Sequence, residues 1–148
     1  MAEIDIKNKK AWHDFEIIDK FVAGIVLTGT EIKSLRAGKA SLVDSYCFFN
    51  EGELFVKGMH ISEYDFGNIY NHFPKRDRKL LLTRRELKKL QKNVKEKGLT
   101  IVALKIFIAA SRYAKLEIAL ARGKKEFDKR EDIKKKDSKR QLDRLMKK

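Results

Sequence analysis

Histidines, cysteines and clustered carboxylates carry most protein catalysis, and in this chain their spacing argues against it. His13, His60 and His72 are far apart, and none stands at metal-ligand spacing from another histidine or from Cys47. Cys47 lies in the apolar stretch Tyr46-Cys47-Phe48-Phe49, without an electropositive neighbour, and reads as a buried structural thiol. There is no phosphate-cradling glycine loop, no dinucleotide turn and no nucleophile elbow. Most carboxylates sit among lysines and arginines, the pattern of a solvated face. His60 and His72 border an irregular stretch, which leaves a histidine-dependent nuclease as a minor reading. The sequence thus assigns no catalytic residue, metal ligand or cofactor.

Basic groups are what the chain has in excess. Thirty-five Lys and Arg against 21 Asp and Glu give a net charge of +14 over 148 residues. So large an excess on one small domain repels itself, and a polyanion is the usual compensation. The excess gathers in Lys7-Asn8-Lys9-Lys10, in Lys75-Arg76-Asp77-Arg78-Lys79, in Arg84-Arg85 and Lys88-Lys89, and at the C-terminal end. Lys88, Lys89 and Lys92 read as the wet face of an amphipathic helix. The cluster before Lys79 is more telling, because it mixes arginine forks, which suit phosphates, with lysine point charges. Trp12, Phe15, Tyr46, Tyr64, Phe66, Tyr70 and Phe73 lie near these clusters. Most belong to a core by default, but those of residues 64–73 sit in an irregular loop and could stack on unpaired bases, as RNA recognition favours.

The elements that must hold these groups are mostly short strands. Residues 13–18, 21–27, 45–50, 54–60, 79–82, 99–108 and 113–120 are apolar-rich runs. Asn50-Glu51-Gly52-Glu53 marks one hairpin, and a tight link before Tyr113 marks another. Residues 30–36 form a short helix closed by Gly38. Thr83 and Glu86 make a capping box for a second helix, lined by Leu87, Leu90 and Val94 and ended by Gly98. The pattern predicts a mostly β fold: a small, closed antiparallel barrel of the OB type with two helices, or alternatively an α+β open sheet. Residues 61–77, with the only proline, Pro74, read as a long surface loop.

The chain divides into a body, residues 1–122, and a basic tail, residues 123–148. The tail holds 12 Lys or Arg against 6 Asp or Glu, with few apolar residues. It is expected to be disordered when free. Glu131 with Lys135 and Asp132 with Lys136 are favourable i,i+4 pairs, so it reads as a segment that turns helical on binding. The longest early apolar run is far too short to span a membrane, and residues 1–10 lack the character of a signal peptide. The single cysteine fits a reducing, cytoplasmic setting. The expectation is a monomer when free, with no membrane partner.

Several strings together resemble one family. Asn8-Lys9-Lys10-Ala11-Trp12-His13-Asp14-Phe15 and Ala23-Gly24-Ile25-Val26-Leu27 are similar to its opening. Gly29-Thr30-Glu31-Ile32-Lys33-Ser34-Leu35-Arg36, with Asp44-Ser45-Tyr46, resembles its signature. Arg78-Lys79-Leu80-Leu81-Leu82 and Ala121-Arg122-Gly123-Lys124-Lys125-Glu126-Phe127-Asp128-Lys129-Arg130 complete the match. The family is SmpB, the SsrA-binding proteins of bacterial trans-translation. The resemblance implies an OB-like body that binds the tRNA-like domain of transfer-messenger RNA, and delivery of that RNA to stalled ribosomes, without catalysis. It implies an RNA face of Asn8, Lys9, Glu31, Lys33, Ser34, Arg36, Lys79, Leu81, Lys115 and Lys124. Of these, Leu81 reads equally as strand core, and Glu31 equally as a charge favouring a helix start. The resemblance further implies that tail residues Lys125, Phe127, Asp128, Lys129, Arg130, Lys134, Lys135 and Lys136 contact the decoding region and mRNA channel of the ribosome. The chain departs from the family at Val22, where glutamate is common, at Glu63, where proline is frequent, and in the link Ala110-Ser111-Arg112. A generic ribosome-associated OB protein and a nuclease are the competing readings.

Overall fold

Among the described residues the β-branched and aromatic runs form nine strands, and two threonine-capped segments and one asparagine-capped segment form three helices. The structure, a computed structural model, describes residues 4–65, 71–108 and 113–124. In chain order the elements are β1 (Ile4–Lys7), α1 (Lys9–Asp14), β2 (Phe15–Ile25), α2 (Gly29–Arg36), β3 (Ala40–Ser41), β4 (Tyr46–Asn50), β5 (Glu53–Lys57), β6 (His60–Ile61), β7 (Arg78–Leu81), α3 (Arg84–Lys97), β8 (Thr100–Ile108) and β9 (Ala114–Gly123). The expectation of two helices in the body is corrected to three among the described residues. α1 is six residues long with a single buried side chain, Ala11, so it is too short to show an apolar period. Its one sequence signal is Asn8, which caps it by accepting from the Ala11 N–H.

Seven strands make one antiparallel sheet in the order β1-β8-β4-β5-β7-β2-β9, and β9 also pairs with β8. The pairings therefore return on themselves through β8, β4, β5, β7, β2 and β9. β3 and β6 form a separate two-stranded ladder. β4 and β5 meet at Asn50↔Glu53, and Glu51 and Gly52 both take positive φ, 51° and 79°. That is the turn a two-residue hairpin loop requires. The two runs expected at residues 13–18 and 21–27 are instead one strand, β2. Its pairing with β9 slips between Ile17 and Asp19, and this bulge breaks the alternation that a sequence reading follows.

The main core is built from residues such as Leu35, Leu54, Val56, Met59, Ile101, Ile106, Leu116 and Ile118. α3 contributes Leu90, which is fully buried, and starts and stops as its caps dictate: Thr83 and Glu86 form the capping box, and Gly98 takes φ 63°. A second, smaller core lies on the opposite face of β8 and β9. There Ala11 of α1 packs with Val102, Leu104, Ala119 and Ala121, and the two alanines of β9 let the helix lie close to the sheet. Residues 62–65 and 71–77 carry no strand or helix, but are held down at both ends, as described below. Among the described residues no helix is long and apolar enough to cross a membrane.

Candidate nucleic-acid interface

Directly paired residues of a sheet share a face, and so do residues two apart on one strand. These rules place three of the expected RNA-facing residues side by side. Leu81 of β7 pairs with Gly24 of β2, and Gly24 pairs with Lys115 of β9. Lys79 lies two residues from Leu81, on the same face. Leu81 is 54% exposed, so the alternative reading of it as core is set aside. Gly24 leaves a gap beside Leu81, and a Cβ there would come within 3.3 Å of the Leu81 Cβ. The result is an apolar cleft of about 340 Å³ with Lys115 at its wall and Ile32 of α2 along its side. Lys79 is steadied by an ion pair with Glu53 at 3.0 Å.

α2 brings the next group. Thr28 caps it and Glu31, three residues on, closes the capping box. Lys33 and Arg36 are exposed, and the Lys33 ammonium lies 5.3 Å from the centre of the Tyr64 ring. Glu31 and Ser34 point the other way and are buried. The Glu31 carboxylate accepts from the Thr28 N–H at 2.8 Å, from Arg76 Nη2 at 2.6 Å and from Arg78 Nε at 2.5 Å. Burial alone would push this carboxyl up. The hydrogen bonds from Arg76 and the Thr28 backbone, with the charge of Arg78, outweigh it and hold the group below the usual carboxylate range.

Arg78 corrects the reading of residues 75–79 as one phosphate-facing cluster. It is the first residue of β7, and the alternation that sends Lys79 and Leu81 outward sends Arg78 and Leu80 inward. Arg78 is fully buried. Its Nη1 donates to the Met59 carbonyl at 2.7 Å and its Nη2 to the Pro74 carbonyl at 3.0 Å. Burial pulls the guanidinium below its ordinary value, and Glu31 opposes that pull. With Arg76, Arg78 ties α2, β7 and residues 71–77 together. His72 adds a further tie: Nε2 donates to the Ile61 carbonyl at 2.8 Å, and Nδ1 shares a hydrogen bond with the Thr30 hydroxyl at 2.9 Å. Asn71 bonds the Tyr64 backbone in both directions. Sequence reasoning missed Arg76, Arg78 and His72 as structural residues. The inward phase of β7 was the available signal.

The last group gathers at α1. Asn8 is buried and fully used, its amide donating to the carbonyls of Leu42 and Ala103 at 3.1 and 2.9 Å. Lys9 is exposed. Lys124, remote in sequence, docks here: its N–H donates to the Asp14 carbonyl at 3.0 Å and its ammonium to the Trp12 carbonyl at 3.3 Å. Of the ten expected RNA-face residues, seven therefore reach the surface, and Asn8, Glu31 and Ser34 do not. Cys47 is buried and unpaired, and burial pushes its thiol up. Phe73 is 71% exposed, whereas Phe66, Tyr70, the link at residues 110–112 and the tail residues 125–148 lie outside the described residues.

A sequence model described as SmpB protein matches residues 5–148 of this chain. The SsrA-binding protein of Phocaeicola vulgatus is 58% identical over 144 residues, covering 97% of this chain and 96% of its own. That of Limosilactobacillus fermentum is 52% identical over 146 residues, covering 99% and 92%. Among solved structures, a chain from one described as "tmRNA-SmpB: a journey to the center of the bacterial ribosome" superposes with a TM-score of 0.70 at 46% identity. That match covers 83% of this chain and 86% of the other.

Proposed function

The chain belongs to the SmpB family, and from that premise we propose that it binds the tRNA-like domain of transfer-messenger RNA and delivers that RNA to stalled ribosomes for trans-translation. The observation that carries this is the family match running through the body and the tail alike, to residue 148. Its relatives are named for binding SsrA, and a solved relative for transfer-messenger RNA and the ribosome. The cycle of strand pairings supports an OB-like barrel as the body's architecture.

Lys9, Lys33, Arg36, Lys79, Lys115 and Lys124 supply charge for phosphates, and Leu81 offers an apolar edge beside Gly24. Asn8, Glu31 and Ser34 act from within, by positioning the helices that carry Lys9, Lys33 and Arg36. The basic tail senses the empty mRNA channel, whose phosphate walls attract Lys125, Lys129, Arg130, Lys134, Lys135 and Lys136. Phe127 stacks at its entry, and Asp128 helps to fix its orientation. The protein is an adaptor of the cytoplasm and performs no catalysis. The test is a filter-binding titration with a transcript of the tRNA-like domain across a range of salt. Affinity should fall by roughly 0.7–0.9 log units per log unit of salt for each phosphate neutralised. Absence of binding, or binding indifferent to salt, would overturn the proposal.

A further inference from the structure

The rows of the sheet continue past the proposed RNA face onto residues with no assigned role. Beside the row Leu81, Gly24, Lys115 and Phe107 runs the next one on the same face: Val22, Glu117, Lys105 and Lys7. Beyond it lies Lys20, paired with Ala119. Trp12 of α1 borders this end. Together these groups line a groove of about 360 Å³ walled by Lys7, Trp12, Lys20, Leu104, Lys105 and Glu117.

The charge of this groove is unbalanced. Glu117 is engaged by Lys105 at 3.6 Å, and the lining holds this one carboxylate against three lysines. Among the described residues, no carboxylate lies within ion-pair reach of Lys7 or Lys20. Lys20 instead sits 4.7 Å from the centre of the Trp12 ring. Trp12 is 43% exposed, and a large exposed indole beside uncompensated cations is a costly surface to maintain without a ligand. An aromatic wall with converging ammonium groups is the arrangement that binds an unpaired nucleotide: the ring stacks on the base, and the cations meet the phosphates.

We infer that the groove between α1 and the β1–β8–β9 face holds an unpaired nucleotide of the tRNA-like domain, with Trp12 stacking on its base and Lys7 and Lys20 meeting its phosphates. The inference rests on the functional reading above. Continuity selects this RNA as the occupant: the row of Lys7, Lys105 and Glu117 in the groove lies directly beside that of Lys115, and Lys124 bonds the Trp12 carbonyl. Stacking on a base is stronger than an exposed cation–π pair, so the Lys20 head leaves the indole for a phosphate when the base enters.

Trp12 is the only tryptophan, which makes its emission a direct reporter. The full-length protein is titrated with a tRNA-like domain transcript, while filter binding records occupancy independently. Saturable binding with a matching fall in emission supports the inference. Saturation with unchanged emission overturns the groove but leaves the functional reading standing, whereas no binding by filter overturns both. Trp12→Ala should weaken binding roughly 5- to 150-fold, and Trp12→Phe should restore most of it. Circular dichroism establishes that both variants fold. If Trp12→Ala folds poorly, Lys20→Ala decides: the salt slope should fall by roughly 0.7–0.9, and an unchanged slope counts against the groove. Emission that responds to ribosomes but not to the transcript overturns the choice of occupant.

Discussion

Glu31→Gln should cost this protein far more than its small change in shape suggests. The carboxylate has no exposed side-chain area and is the only acidic partner of the fully buried Arg78 among the described residues. The substitution keeps the volume but removes the charge. It also turns an amide NH2 toward at least one guanidinium donor. Breaking one partner of a buried pair costs about 3–5 kcal/mol, because the other charge stays buried without compensation. For a domain near 150 residues each kcal/mol moves Tm by about 2–4 °C, so the expected drop is about 6–20 °C. That is a large share of a total stability of about 5–15 kcal/mol.

The assay is urea and thermal unfolding followed by circular dichroism, with Glu31→Leu combined with Arg78→Met as the partner variant. Replacing both charges with apolar groups should recover much of the loss, since the penalty lies in the unpaired ion and not in a missing attraction. A loss for Glu31→Gln below about 1 kcal/mol would refute the reasoning, as would a double variant no better than the single one. Either result would mean that Arg78 is compensated by the Met59 and Pro74 carbonyls alone.

Other expectations follow from the same contacts. Glu31 titrates lower in the fold than in the unfolded chain, so its contribution is complete above the unfolded value and is lost as pH falls through the lower folded value; Glu31→Gln should flatten that part of an acid-unfolding curve. Leu81→Ala should change stability by only about 0.5 kcal/mol, as its exposure dictates, while weakening filter binding to the tRNA-like domain. A chain ending at Lys124, which keeps the contacts of Lys124 with α1, should bind the free RNA nearly as well as the full chain yet fail to support peptide tagging on stalled ribosomes. Reversing the charges of Lys134, Lys135 and Lys136 should reproduce part of that tagging defect.

What the sequence reveals depends on how local the cause is. The hairpin at Glu51-Gly52 and the capping box of Thr83 and Glu86 are written in four-residue windows, and both appear where the residues put them. Thr28 and Glu31 follow the same rule, so the start of α2 at Gly29 was open to the same argument. α1 was not. Its stability comes from small residues on β9, more than 100 positions away, that let Ala11 approach the sheet. The continuity of β2 was hidden by a one-residue bulge that only its partner strand defines. The pairing of β9 with β8 is the second hairpin that the sequence predicts, but the pairing of β9 with β2, far earlier in the chain, depends on register across the sheet, not on any single run. Among the candidate site residues, type alone could not separate Lys79 from Arg78; strand phase does.

Arg78 also shows how a strongly basic surface can be held in one shape. A row of exposed lysines repels itself and, on long side chains, holds few fixed positions. Here the basic stretch is divided by the phase of β7. Arg78 goes inward and, with the neighbouring Arg76, binds Glu31, so the strand that presents Lys79 and Leu81 is fixed to the helix that presents Lys33 and Arg36. The same guanidinium group holds the Pro74 and Met59 carbonyls, and His72 holds Ile61 and Thr30, so residues 71–77 are set against α2 as well. A lysine could not do this, because one ammonium cannot meet a carboxylate and two carbonyls in the planar fork that Arg78 spans. Ordering these backbones before RNA arrives lowers the entropy that binding must overcome, leaving more of the phosphate attraction to appear as affinity. The buried charge thus serves the exposed ones: it stabilises no RNA contact directly, yet each lysine on β7 and α2 depends on it for position.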